Sequence, residues 1–134
     1  MPETENKLRL RVKRYLDKMI DEHGLIYRFD LAGLYTDQKQ AQIMIKQLNG
    51  TFAGFPDLWI CKPIGCYAGM FIELKRSGTT KRSLLQPTTD HGKQQLEMIR
   101  QLQKIGFAAC FGIGFDDTKN KLIQYVHRKP IPII

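Results

Sequence analysis

Two acidic residues and a lysine lie inside otherwise apolar segments of the chain. Asp57 begins the run Asp-Leu-Trp-Ile-Cys at residues 57–61, whereas Glu73 and Lys75 lie within Met-Phe-Ile-Glu-Leu-Lys at residues 70–75. Charged side chains in such apolar strands are costly to bury unless they are paired with another group or bind a ligand. These three residues are therefore the first candidates for chemistry.

The spacing of these residues places them on one surface. Glu73 and Lys75 are two positions apart, so their side chains share one face of a strand. If the two apolar segments form an antiparallel hairpin centred on Gly65, Asp57 lies opposite Glu73, with the two Cβ atoms roughly 5 Å apart. Two adjacent carboxylates repel each other, and a divalent cation relieves this repulsion. Oxygen ligands favour Mg²⁺ or Mn²⁺.

A metal at this position would support phosphate chemistry, because it polarises a phosphate and acidifies a bound water. Lys75, on the same face, would orient that water or stabilise the negative charge that develops at phosphorus. The alternative is purely structural. In that case Asp57 only begins a strand after a proline turn, and Glu73 and Lys75 form an exposed pair at the edge of a sheet.

The elements that position these residues follow from the spacing of apolar side chains. Helices are predicted over 5–22, 37–49, 93–105 and 116–127, and strands over 25–29, 57–61, 69–75 and 107–113. The segment 76–92 has no hydrophobic period, so it is predicted to be a mobile loop. Residues 128–134 are predicted to be a C-terminal tail. The sequence shows no repeat and no linker, so residues 1–134 are predicted to form a single α/β domain.

The charge of the chain indicates an anionic partner. The 134 residues include 21 Lys+Arg and 13 Asp+Glu, which gives a formal net charge of +8. Nucleic acid is the first candidate partner and an anionic membrane surface is the second. The predicted first helix has a strongly basic face, but its apolar face lacks the Trp/Phe cluster typical of membrane-bound helices. Nucleic acid is therefore favoured over a membrane.

The composition also predicts a cytoplasmic protein. No apolar run is long enough to span a bilayer, and the polar N-terminus lacks the apolar stretch of a signal peptide. The three cysteines, Cys61, Cys66 and Cys110, are few and odd in number, which fits a reducing compartment and argues against a disulfide scaffold. No set of four ligands for a structural zinc ion can be assembled around them.

The segments around the acidic residues resemble the motif of a known enzyme family. Gly-Phe-Pro-Asp-Leu at 54–58, followed by Phe-Ile-Glu-Leu-Lys at 71–75, is similar to the motif of the PD-(D/E)xK nucleases. More narrowly, it resembles the VRR-NUC family and its small, stand-alone, phage-type members. A glutamine-containing helix at 95–106 and a helix at 39–50 extend the resemblance over most of the chain. It implies a restriction-endonuclease-like α/β core, with a mixed central sheet flanked by helices and a divalent metal at the sheet.

The resemblance also implies roles for single residues. Asp57 and Glu73 match the acids that bind the metal, and the main-chain carbonyl of Leu74 would join them as a ligand. Lys75 matches the catalytic lysine of the family. Gln95 matches the helix glutamine that supports the site.

Two of these assignments leave alternatives open. Gln94 is the alternative to Gln95 as the helix glutamine of the family. The structural alternative is that this glutamine only lies at the boundary between the core and the surface. The family also has an acidic metal ligand on the first helix, for which Glu5 fits better than Glu3 or Glu22. The alternative for Glu5 is a first-turn acid that only interacts favourably with the helix dipole.

The function implied by the resemblance is metal-dependent hydrolysis of DNA phosphodiester bonds, with selectivity for branched DNA such as four-way junctions, by a homodimer. The basic residues predicted to hold the DNA backbone are Arg9, Lys13, Arg76, Lys81, Arg82 and Lys93. Trp59, Phe55 and Tyr67 are candidates to stack on exposed bases, although core packing is favoured for Trp59. The alternative function is a non-catalytic nucleic-acid-binding module. A peripheral membrane or partner-binding protein would leave the acids and the lysine unexplained.

Overall fold

The computed structural model describes residues 3–30, 39–48 and 54–134 of the chain. No helix within these ranges is long and apolar enough to cross a membrane. The helices are α1 (Glu5–His23), α2 (Lys39–Leu48), α3 (Lys81–Leu85), α4 (Asp90–Lys104) and α5 (Gly114–Val126). The strands are β1 (Tyr27–Phe29), β2 (Leu58–Ile60), β3 (Met70–Lys75) and β4 (Ala108–Ile113).

The four strands form one mixed sheet in the order β1-β2-β3-β4. Strand β2 is antiparallel to both β1 and β3, and β4 is parallel to β3. Leu58 pairs with Ile72 in the β2–β3 ladder, so the hairpin is centred on Gly65 and the predicted register is confirmed. The mixed sheet and its flanking helices confirm the predicted fold class.

The two faces of the sheet pack against different helices. On one face, Leu58 and Ile72 belong to a core that includes the apolar stripes of α1 and α5. On the other face, Phe71 belongs to a core that includes α4. Because successive side chains of a strand point to opposite faces, Glu73 and Lys75 lie on the same face as Phe71. The acidic residue and the lysine of β3 therefore point towards α4.

Helix α1 is capped at both ends, by a threonine side chain at its N-terminus and by a glycine at its C-terminus. The Thr4 hydroxyl accepts a hydrogen bond from the Lys7 N–H at 3.2 Å. At the other end Gly24 adopts a left-handed conformation with φ 64, and its N–H donates to the Ile20 carbonyl at 2.8 Å. For α2, the predicted caps Thr36 and Asp37 lie outside the described residues.

The segment 76–92 differs from its prediction as a mobile loop. It contains α3, and α4 begins within it at Asp90. Thr80 and Thr89 cap these helices, and their hydroxyls accept backbone N–H groups three residues later at 3.2 and 3.0 Å. Leu84 of α3 is buried in the core on the α4 face. Helix α3 is too short to show a helical period, so the sequence pattern missed it.

Residues 128–134 pack against the sheet and do not form a free tail. The Phe111 N–H of β4 donates to the Ile133 carbonyl at 2.9 Å, and Ile131 is buried. The Ile131 N–H also donates to the Tyr67 hydroxyl at 3.1 Å. The end of the chain therefore covers the edge of β4 that faces away from β3.

Candidate active site

Asp57 and Glu73 lie side by side where β2 begins. The Asp57 N–H donates to Glu73 Oε2 at 3.2 Å, and the Leu74 N–H donates to Asp57 Oδ2 at 2.9 Å. The register of the β2–β3 hairpin produces this arrangement, since it pairs the residues that follow Asp57 and precede Glu73. The Leu74 peptide thus borders the two acids, and its carbonyl as a metal ligand stays a prediction.

Gln95 of α4 links the acidic residue of β3 to the lysine. Its Nε2 donates to Glu73 Oε1 at 2.8 Å, and its Oε1 accepts from Lys75 Nζ at 2.8 Å. Lys75 Nζ is 3.9 Å from Glu73 Oε1. Gln95 is buried, whereas Gln94 is exposed. Of the two glutamines considered from the sequence, Gln95 is therefore the one that contacts the acidic group.

The turn before Asp57 is seated on the backbone of α4. Gly54 adopts φ +77, and a Cβ atom at this position would lie 2.7 Å from both the Gln94 carbonyl carbon and the Gln95 nitrogen. A side chain does not fit in so small a gap, and glycine adopts this conformation without strain. The contact fixes the position of Asp57 relative to Gln95.

The two carboxyl groups together make a favourable position for a cation. Burial, helped by the charge of Asp57, raises the pKa of Glu73 to about 9, and Lys75 offsets only part of this shift. A bound cation would replace the proton and remove the repulsion between the acids. Within the described ranges, no three His, Cys, Asp or Glu side chains form a potential metal cluster. The carboxylates would thus be completed by a main-chain carbonyl and water, a donor set that fits Mg²⁺ or Mn²⁺.

The guanidinium of Arg9 reaches this pair from α1. Arg9 Nη2 is 3.2 Å from Asp57 Oδ1 and 3.8 Å from Glu5 Oε2. The sequence predicts Arg9 as a contact to the DNA backbone, but in the structure it lies against the acids. Glu5, the first-helix candidate ligand, has a side chain that is 56% exposed and pairs with Arg9. It does not join Asp57 and Glu73 in one cluster.

A cleft of about 360 Å³ opens beside the lysine, and its walls include Lys75, Arg76, His91 and Gln95. His91 lies one turn before Gln95 on α4, and its Nε2 is 3.1 Å from Gln95 Nε2. Because the amide nitrogen is a donor, Nε2 accepts this bond in the tautomer that carries its hydrogen on Nδ1. The sequence analysis missed His91. His91 lies in the segment 76–92 that the sequence predicts as a loop, and its spacing of four residues from Gln95 becomes a signal only once α4 is seen to begin at Asp90.

The other predicted DNA contacts are distributed over several elements. Lys13 pairs with Asp17 on the exposed side of α1, with Nζ and Oδ2 2.7 Å apart. Arg76 lines the cleft next to Lys75. Three further residues are exposed on α3 and α4: Lys81, Arg82 and Lys93. The structure brings Arg9 to Asp57, places Arg76 in the wall of the cleft, and leaves the remaining predicted contacts at the surface.

Comparisons with known proteins identify the fold. No family model and no curated protein sequence matches the chain. A solved structure of a VRR_NUC domain protein matches with a TM-score of 0.66 and 22% sequence identity, over 98% of this chain and 95% of that chain. At this level of identity the likeness is one of fold. The chain therefore has the fold of a VRR_NUC domain, as the resemblance of its motifs implies.

Proposed function

We propose that this protein is a Mg²⁺- or Mn²⁺-dependent endonuclease that hydrolyses DNA phosphodiester bonds and selects branched DNA. The observation that carries the proposal is the shared hydrogen-bond network of the acids and the lysine. In this network Gln95 contacts both Glu73 and Lys75, and Glu73 contacts Asp57. The VRR-NUC fold supports the same activity class.

The residues of the chain have separate tasks in this mechanism. Asp57 and Glu73, with the Leu74 carbonyl, hold the cation. When bound, the cation supplies the positive charge that polarises the scissile phosphate and acidifies the attacking water. Lys75 presents its ammonium on the same face and stabilises the charge that develops at phosphorus. Gln95 positions Lys75, because its Oε1 accepts the hydrogen bond from Nζ at 2.8 Å.

Substrate binding follows from the charge of the molecule. The formal net charge of +8 and the arginine beside the cleft, Arg76, favour sequence-independent contacts to phosphates. A homodimer would present two such sites related by two-fold symmetry, which suits paired nicks across a four-way junction. The resemblance to small VRR-NUC proteins is the basis for proposing branched DNA as the preferred substrate.

A comparison of DNA structures tests the proposal. End-labelled four-way junction, flap, duplex and single-stranded DNA are incubated with the protein in Mg²⁺, in Mn²⁺ or in EDTA. We expect cleavage in either metal, none in EDTA, and the highest rate on the junction. Binding of these DNAs without cleavage in either metal would identify a non-catalytic binding module. Cleavage that persists in EDTA would exclude metal dependence.

A further inference from the structure

Trp59 is much more exposed than the sequence predicts. The sequence favours core packing for Trp59 and leaves stacking on bases as the alternative, yet the residue is 41% exposed in the middle of β2. Its ring stacks on Phe71, with centroids 5.7 Å apart and 9° between the planes. Phe71 is itself 4% exposed, so the buried ring supports the indole from one side. The exposed part of the indole is a flat apolar surface held in a fixed orientation.

A second aromatic ring extends this surface. Phe55 is also 41% exposed and packs edge-on against the same Phe71, with centroids 5.2 Å apart and 87° between the planes. Phe71 is held in turn by Phe107, at a centroid distance of 5.0 Å. Two exposed rings are therefore fixed by one buried ring. We call the exposed pair, Phe55 and Trp59, the aromatic surface.

The aromatic surface lies beside the proposed catalytic acids and next to a positive charge. Trp59 is two positions after Asp57, so both side chains lie on the sheet face that carries Glu73. Arg28 is the cross-strand partner of Trp59 in the β1–β2 ladder and is exposed. Cross-strand partners project to the same side of a sheet. Trp59 and the exposed Arg28 are therefore neighbours on the sheet face that carries the proposed catalytic acids.

We propose that Phe55 and Trp59 stack on an unpaired base of the strand whose phosphate is cut at Asp57 and Glu73. Every nucleobase offers a π face, so stacking of this kind tolerates any sequence, and a neighbouring arginine adds contacts to the phosphate. A base within an intact duplex has both faces covered by its neighbours. The proposal rests on the proposed function and narrows its substrate to branched DNA in which a base at the branch point, next to the scissile bond, leaves the helical stack.

The single tryptophan of the chain makes the surface directly observable. Intrinsic fluorescence is followed in EDTA at low salt during titration with three DNAs of equal length. These are an oligothymidylate, a strand of abasic sites with the same phosphates, and a blunt duplex. We expect the oligothymidylate to quench Trp59 and the other two to leave its emission unchanged. Equal quenching by the abasic strand or by the duplex would overturn the proposal.

Variants give a second readout through the anisotropy of labelled DNA. Trp59→Ala is expected to weaken oligothymidylate binding by about 5- to 100-fold, whereas Trp59→Phe keeps a ring and most of the affinity. The control is Ile105→Ala, which alters a residue that is 70% exposed and lies just after α4. Thermal melts verify folding of each variant. An equal loss of duplex and oligothymidylate affinity in Trp59→Ala would contradict a stacking role.

These measurements separate the stacking proposal from the proposed nuclease activity. Quenching that requires bases, in a protein that cleaves none of the DNAs with Mg²⁺, would support stacking and overturn the nuclease. Cleavage of DNA without base-dependent quenching of Trp59 would support the nuclease activity and overturn the stacking proposal. A third outcome is that no DNA changes the Trp59 emission, but the emission shifts to shorter wavelength as the protein concentration rises. This outcome would show that a second copy of the chain covers the aromatic surface, and it would also overturn the stacking proposal.

Discussion

At the scale of single residues, the positive charge of Arg9 already lies against Asp57. Its guanidinium is 3.2 Å from Asp57 Oδ1 and 3.8 Å from Glu5 Oε2. A divalent cation bound by Asp57 and Glu73 would therefore compete with a charge of the chain itself. A guanidinium also suits two-pronged contacts to phosphate. We expect Arg9 to exchange Asp57 for a phosphate of the DNA when the cation binds.

Removal of Arg9 should therefore tighten cation binding. We expect Arg9→Gln to lower the Kd for Mn²⁺ by about two- to tenfold in calorimetric titrations without DNA, because a partly exposed ion pair of this kind contributes roughly 1 kcal/mol. The control is Arg11→Gln, which removes the same charge from α1 but from a residue that pairs with Glu3. Equal effects of the two substitutions would show that only net charge matters.

Lys75 is expected to act in the chemical step more than in binding. Its Nζ is held by Gln95 on the face of the acids, so its contact to the reacting phosphate strengthens as negative charge develops. Lys75→Ala should lower the single-turnover rate by roughly 10²-fold, the scale of one lost electrostatic donor. Mn²⁺ affinity should be kept or slightly raised, and DNA affinity should fall only slightly.

Two further variants make the Lys75 test specific. Lys75→Arg should rescue the rate only in part, because a planar guanidinium does not reproduce a compact ammonium. Lys104→Ala removes an exposed lysine at the end of α4 that is not among the predicted DNA contacts, and it should leave the rate nearly unchanged. If Lys75→Ala weakened DNA binding as much as it slowed cleavage, the lysine would be a docking residue and not a catalytic one.

At the scale of elements, α4 holds the site together through both its side chains and its backbone. Gln95 binds the residues of β3, and the Gly54 turn rests on the peptide between Gln94 and Gln95. Because the turn carries Asp57 and the helix carries Gln95, their contact sets the distance between the two halves of the network. A change in this contact should affect both stability and catalysis.

Gly54→Ala tests this contact, with Gly106→Ala as its matched control. Both glycines have positive φ, +77 and +105, but only the Gly54 Cβ would lie 2.7 Å from the backbone of α4, whereas nothing lies within 4 Å of a Cβ at Gly106. Each substitution should lose about 1–2 kcal/mol of unfolding free energy to backbone strain. We expect Gly54→Ala to lose more unfolding free energy than Gly106→Ala, as measured by thermal melts. We also expect it to slow cleavage, as measured by single-turnover rates. Equal losses would show that the close approach is unimportant.

The hairpin and α3 show which elements a sequence can predict. The β2–β3 register was predictable because a hairpin centred on Gly65 places Asp57 opposite Glu73, and the observed pairing of Leu58 with Ile72 has the same centre. Helix α3 has only five residues and was missed. Its signal was the capping threonine Thr80, and not a hydrophobic period.

Only some residues of the candidate site were predictable, because the sequence relates residues of one hairpin but not residues of distant elements. Asp57, Glu73 and Lys75 share a hairpin, so local geometry relates them to one another. Arg9 comes from α1 and reaches Asp57 across a sequence separation of 48 residues. Helical periodicity assigns a residue to a face of its helix, but it does not identify the element that packs there.

At the scale of the whole molecule, the excess of positive charge should govern DNA binding. With a formal net charge of +8, we expect the binding constant for duplex DNA to fall steeply with salt. Neutralisation of roughly five phosphates would give a slope near −4 to −5 in a plot of log K against log salt concentration. Anisotropy titrations in EDTA between low and moderate salt measure this slope. A flat response would show that the charge serves another purpose.

The central claim is that Asp57 and Glu73 hold the cation that cleaves DNA, and one single-turnover cleavage measurement tests it most directly. Wild type, Asp57→Asn, Glu73→Gln and the control Glu97→Gln, which alters an exposed acid of α4, are compared in Mn²⁺ on the DNA that the protein cleaves best. We predict that both site variants bind the DNA and melt cooperatively but lose cleavage by about 10³-fold or more, while Glu97→Gln cleaves like wild type. Cleavage at the wild-type rate by a folded Asp57→Asn or Glu73→Gln would contradict the claim.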